Sequence, residues 1–158
     1  MKKTTRKLLL MGALLLLCAL SWRFVPHVLS SLLPENENQI VSVSGAGVIG
    51  DVRNGKPVME SYRLEEVQAG EENFQQIMDL LGAAYYRTDF RNLLPSVEAD
   101  AEGKETAMLT VLWEDGTSVW LQITSGGIVN VHRDDTVKSW HTNTELAGKL
   151  IGCMEPEN

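Results

Sequence analysis

Residues 107–133, AMLTVLWEDGTSVWLQITSGGIVNVHR, hold three apolar alternations separated by two glycine-containing breaks. Ala107, Leu109, Val111 and Trp113 share one face of a strand, because successive side chains point to opposite sides of a pleated chain. Val119, Leu121 and Ile123 share a face of the next. A two-residue Asp115-Gly116 turn would place these two sets on opposite sides of the sheet. A three-residue loop, Glu114-Asp115-Gly116 with Gly116 left-handed, pairs 113 with 117, 111 with 119, 109 with 121 and 107 with 123. That register buries one consistent face and is therefore the expected one. The loop Ser125-Gly126-Gly127 repeats the arrangement and pairs Ile123 with Val129 and Leu121 with Val131. The stretch reads as a three-stranded antiparallel meander.

Working outward, Thr142-Asn143-Thr144-Glu145 fits a capping box, with Thr142 as N-cap, followed by a helix whose stripe is Leu146, Leu150, Cys153 and Met154. Glu155 to Asn158 reads as a frayed tail. Upstream, Phe74, Ile77, Met78 and Leu81 recur at helical spacing within Glu71–Leu81, with Gly82 suited to the stop. Ile40–Ser44 alternates as a short strand, Gly45, Gly47 and Gly50 permit a bend, and Asn54-Gly55 marks a hairpin turn into a partner strand at Val58–Leu64. Pro57 would place that partner at a sheet edge. Residues 85–94 fit either a strand or an irregular return, and Ser96–Thr106 reads as a solvated loop. The expected fold class is α+β: an antiparallel sheet with a three-stranded meander and two packed helices, after an N-terminal membrane segment.

That segment begins the chain. Lys2, Lys3, Arg6 and Lys7 precede an unbroken apolar run from Leu8 to Leu20. Cations followed by an apolar block insert into a membrane with the basic end in the cytoplasm, so the remainder is expected outside it. Two endings fit. Thirteen apolar residues give about 20 Å of helix, short of a bilayer core of about 30 Å and apt for a signal peptide cleaved after Ser21. Continued apolar character at Trp22, Phe24, Val25, Val28, Leu29, Leu32 and Leu33 favours an uncleaved single-pass anchor over residues 8–25, the preferred ending. A lipoprotein signal at Cys18 fits less well, because Leu15-Leu16-Leu17 precedes it. The expected organisation is 1–29 signal-anchor or signal peptide, 30–39 polar linker and 40–158 one extracytoplasmic domain.

Charge divides sharply along the chain. Of 14 basic side chains, five (Lys2, Lys3, Arg6, Lys7, Arg23) lie in the first 23 residues, leaving nine against all 21 acidic ones, a balance of −12. Such a domain repels nucleic acid and anionic headgroups. With only Cys18 and Cys153 present, no disulfide can form within the domain, which must rely on its core.

Chemistry-bearing patterns are few. His132, Arg133, Asp134, Asp135 and His141 include metal-capable side chains, but in no recognised ligand spacing, so no metal site and no cofactor is assigned. The acidic pairs Glu65-Glu66, Glu71-Glu72 and Asp134-Asp135 sit beside turns or helix starts, where solvated charge is expected. No catalytic set can be drawn. On the outer sheet face, the register sets Trp120 opposite Thr110 on one side and His132 on the other, with Gln122 nearby. A central aromatic among mixed polar groups is the composition of an interaction hot spot. The competing reading has residues 40–64 or Tyr85-Tyr86 cover that face as a second core.

A short anchor, a single acidic α+β domain, scarce cysteine and an EDGT-type hairpin together resemble small exported or membrane-anchored proteins of Firmicutes. This resemblance in style suggests a Gram-positive envelope; it implies no activity and carries over no site residue. The leading functional expectation is a non-enzymatic, membrane-anchored extracytoplasmic domain binding a protein or envelope component through Trp120, Gln122, His132 and Thr110. The alternatives are a small envelope hydrolase using paired carboxylates, or an accessory subunit of a membrane complex.

Overall fold

A computed structural model describes residues 3–23, 26–33, 39–89, 92 and 103–157. In chain order these form α1 (Lys3–Arg23), a 3-10 turn (Leu29–Ser31), β1 (Ile40–Arg53), β2 (Lys56–Gln68), α2 (Glu72–Ala83), β3 (Arg87–Thr88), β4 (Glu105–Trp113), β5 (Ser118–Thr124), β6 (Ile128–Arg133), β7 (Thr136–His141), α3 (Leu146–Ile151) and β8 (Glu155–Pro156). All strands join one antiparallel sheet in the order β3-β7-β6-β5-β4-β1-β2-β8. The α+β class holds, with eight strands where the sequence suggested fewer.

The meander forms in the expected register. Val111 faces Val119, Leu109 faces Leu121, Ala107 faces Ile123, and Ile123 and Leu121 face Val129 and Val131. The Trp113 N–H donates to the Thr117 carbonyl, while Gly116 and Gly127 turn the chain at φ 83° and 78°, angles only glycine adopts without strain. The shared inner face is fully buried at Leu109, Val111, Leu121, Ile123 and Val129. Each such side chain is worth roughly 1.5–3 kcal/mol of transfer free energy, so this face is the main source of cohesion.

β1 is one long strand rather than a short strand and a bend. Gly45 marks a register irregularity against β2, and Gly47 lets α3 approach: a Cβ there would lie 2.8 Å from Ile151 Cγ1. The Asn54-Gly55 turn forms with φ 54° and 74°. β2 lies near the sheet edge, as Pro57 requires, bordered only by the two-residue β8. α2 buries Phe74, Ile77 and Leu81 but runs through Gly82 to Ala83, since no left-handed residue stops it.

Three local readings are corrected. Residues 136–141, given no element from the sequence, form β7; the turn before it places Asp134 at φ 50°. Thr142 is not an N-cap. It continues from β7, its N–H bonds the Gly127 carbonyl, and α3 starts at Leu146 with no side-chain cap. The C-terminal residues are not frayed at Glu155–Pro156, which pair with Arg63 and Tyr62.

Near the other terminus, His27 and Tyr86 exchange backbone hydrogen bonds at 2.6 and 3.1 Å, the His27 ring meets Trp140 edge-on at 5.3 Å, and Leu32 is buried. Ser30–Leu33, read as the start of a linker, thus packs on the sheet; residues 34–38 lie outside the described part. α1 exposes Leu10, Met11 and Leu14–Leu17. Among the described residues no helix is both long and apolar enough to cross a membrane. Of residues 85–94, Arg87–Thr88 form β3, while much of 90–102 lies outside the described part.

Candidate functional site

The sheet's two faces differ in chemistry. On the face away from α2 and α3, direct pairing lines up Ser44, Thr110, Trp120, His132 and Val137 across five strands. The adjoining row is Ala46, Met108, Gln122, Asn130 and Ser139. Across these five strands neither row contains a carboxylate, ammonium or guanidinium, although 22% of the chain is charged; charge returns on the next strand, β2, where the exposed Arg63 pairs with Ala46. The structure therefore brings Trp120, Gln122, His132 and Thr110 together on one face. Trp120 is 36% exposed, and its ring lies 4.2 Å from that of His132, tilted by 48°. Neither candidate cover is laid across it: residues 40–64 join the sheet edge-on as β1 and β2, and Tyr86 is buried beside His27.

A polar chain runs along the second row. The Asn92 amide donates to the Ser139 carbonyl at 2.7 Å and accepts from the Ser139 N–H at 2.7 Å. In this way a side chain does the work of a neighbouring strand at the β7 edge. The Ser139 hydroxyl donates to Asn130 Oδ1 at 2.7 Å, and Asn130 Nδ2 donates to Gln122 Oε1 at 3.2 Å. Asn130 and Ser139 are fully buried. Because Gln122 Oε1 faces this chain, its Nε2 is the amide end directed away from it. Sequence reasoning found Gln122 but missed the chain, which needs β7 to exist; once β7 is drawn, Asn130 opposite Ser139 is the readable signal.

At the β7 end, His141 Nε2 stands 2.9 Å from Asp89 Oδ2, with Asp89 almost wholly buried and the imidazole half exposed. The distance is that of an ion pair, though the approach is not aligned as a hydrogen bond. The Asp89 N–H also bonds the Ser139 carbonyl. This pair was missed because its members stand 52 positions apart in the chain. The other residues of the His132–His141 stretch do not converge: among the described residues no group of three metal-capable side chains is present.

Elsewhere, titratable groups serve local structure. Burial pushes the Tyr86 phenol above its usual range while its hydroxyl donates to the Leu81 carbonyl at 2.7 Å. Burial also raises the Cys153 thiol, the opposite of an activated nucleophile. On the β1–β2 hairpin, Arg53 bridges Asp51 and Glu60 at 3.3 and 2.5 Å. The Val52 N–H, then Arg53, lowers the Asp51 carboxyl. A cavity of about 280 Å³ opens between Leu32, Val119, Val131 and Lys138; no carboxylate lines it.

No family model, curated protein or solved structure matches this chain.

Proposed function

We infer that the protein is a non-enzymatic extracytoplasmic domain, held at the membrane by its N-terminal helix and binding a protein or envelope component through the sheet face around Trp120. The observation that carries this reading is an outer face uncharged across five strands, with a part-exposed indole at its centre. In a domain with a balance of −12, the eight solvent-reaching positions of the two rows carry neither an acid nor a fixed base and form a surface that can be desolvated at small electrostatic cost. A rigid sheet also holds the indole in place before any partner arrives, which limits the entropy lost on binding.

The N-terminal charge pattern supports the location. Cations at Lys2, Lys3, Arg6 and Lys7 precede the apolar part of α1, the orientation that leaves the C-terminal domain outside. The apolar block is short for a bilayer core, and it is followed in sequence by Trp22 and Arg23, residue types suited to the headgroup region. Three residues lie between Arg23 and His27, whose backbone is tied to Tyr86. The four Cα–Cα steps of that stretch span at most about 14 Å when extended. Whatever retains α1 therefore keeps the sheet close by.

Intact-mass measurement and membrane fractionation of the natively expressed protein test the location. Full-length chain in the membrane fraction supports the anchor; release without residues 1–21 supports a secreted domain with the same binding face. Full-length chain in the cytoplasmic fraction would overturn the extracytoplasmic reading. Unchanged partner binding by a folded Trp120→Ala variant would overturn the proposed surface.

A further inference from the structure

We propose that the site at Trp120 and Gln122 takes a neutral saccharide chain, an inference that rests on the binding reading above and names its ligand class. A pyranose ring with equatorial substituents presents a flat patch of axial C–H groups ringed by hydroxyls. Such a ring is apolar on its face and polar at its edge. Its complement is an aromatic plate set among neutral hydrogen-bonding groups. Trp120 is such a plate: it is 36% exposed, and its tilt against His132 at 4.2 Å backs one side of the ring and restricts its rotation.

Gln122 supplies the edge chemistry. Two residues further along the same strand and on the same face, its carbonyl oxygen is engaged by Asn130, which is in turn fixed by Ser139 and Asn92. This sequence of donors and acceptors has a direction, and it leaves the Gln122 Nε2 protons at the end of the amide away from Asn130. Thr110, opposite Trp120, adds a hydroxyl that both donates and accepts. Oriented amides and hydroxyls beside an indole match sugar hydroxyls and acetamido groups.

Charge decides between ligand classes. An anionic polymer would approach a domain carrying a balance of −12, and the cation that the second row meets, Arg63 opposite Ala46, stands on β2, three strands away from Trp120. A cationic ligand would find no carboxylate in the two rows. A neutral chain meets neither penalty.

The test uses the full chain in lipid nanodiscs and a β-1,4-linked N-acetylglucosamine tetramer. The signals followed are the Trp120 indole N–H and the Gln122 side-chain amide in ¹H–¹⁵N spectra. The expected result is saturable movement of both signals while the buried Trp113 indole stays still. Trp120→Ala should weaken binding by about tenfold or more, as loss of a central aromatic does. Trp120→Tyr should stay within about threefold, because it keeps an aromatic plate. An unchanged Trp113 signal certifies that each variant is folded. If the tetramer moves neither signal, the saccharide inference is overturned. If solubilised envelope proteins then perturb Trp120 in the same spectra, the binding-face reading survives without it; if they do not, both fall. Binding that Trp120→Ala leaves intact would also overturn the proposed site.

Discussion

Gly45→Ala places a methyl group where β1 and β4 already touch. A Cβ at Gly45 would lie 2.2 Å from the Met108 carbonyl oxygen and 2.9 Å from Leu109 Cδ2. The first distance is about 1 Å or more inside van der Waals contact, and its partner is backbone that cannot rotate away. Relief requires the two central strands to separate locally. That displaces about two ladder hydrogen bonds, each worth about 1 kcal/mol net, and adds the 1–3 kcal/mol typical of overpacking. The expected loss is about 3–5 kcal/mol. With a urea slope of about 1.5 kcal/mol/M, the unfolding midpoint falls by about 2–3 M. Urea titration followed by tryptophan fluorescence reads this directly. Gly50→Ala is the control: its Cβ would meet nothing closer than the Lys104 carbonyl at 3.6 Å, so it should stay within about 0.5 kcal/mol of the parent. Equal midpoints for the two variants would refute the packing of β1 on β4 and with it the order of the sheet.

Other perturbations probe separate parts of the account. Asn130→Ala leaves the Ser139 hydroxyl and Gln122 without their shared partner in a buried position, and should cost about 1–3 kcal/mol in the same titration. It should also increase the mobility of the Gln122 amide, measured by side-chain relaxation; an amide as ordered as in the parent would contradict the orienting chain. Leu32→Ala removes a buried side chain and should cost about 2 kcal/mol or more, whereas a stability equal to the parent's would show that residues 27–33 do not belong to the folded unit. Asp51 should titrate below the ordinary aspartate value of about 3.9, because the Val52 N–H and Arg53 favour its carboxylate. The sign follows: its contribution to stability is complete above the unfolded value and is lost as pH falls through the lower folded value. A carboxyl midpoint at or above about 3.9 by NMR would refute that local geometry.

The parts of the fold that could be read from sequence are those where alternation and turn chemistry agree. Two glycines at positive φ fixed both loops of the meander, and only one register gave a single apolar face. The same register placed Trp120 between Thr110 and His132, so the candidate face was legible before its surroundings were. β7 was hidden for physical reasons. Its turn uses Asp134 rather than glycine at positive φ. Lys138 also stands opposite the inner-face residue Val131, which breaks the apolar alternation. Thr142 carries a sound local capping signal, but continuation of β7 commits its N–H to Gly127, and pairing across the sheet overrides the helix start. β8 is too short to show any period. The Asn92–Ser139–Asn130–Gln122 chain and the Asp89–His141 pair link segments far apart in sequence, and no local pattern announces such contacts.

The central claim is that the Trp120 face is the working surface of the protein. A photo-crosslinking amino acid at Gln122 in intact cells tests it most directly, with the same group at Gln76 on α2 as the comparison. Both positions carry glutamine, but they lie on different elements and opposite sides of the sheet. The account expects a discrete adduct from position 122, lost on adding Trp120→Ala, and none from position 76. Equal labelling at the two positions, or none at 122, would contradict it.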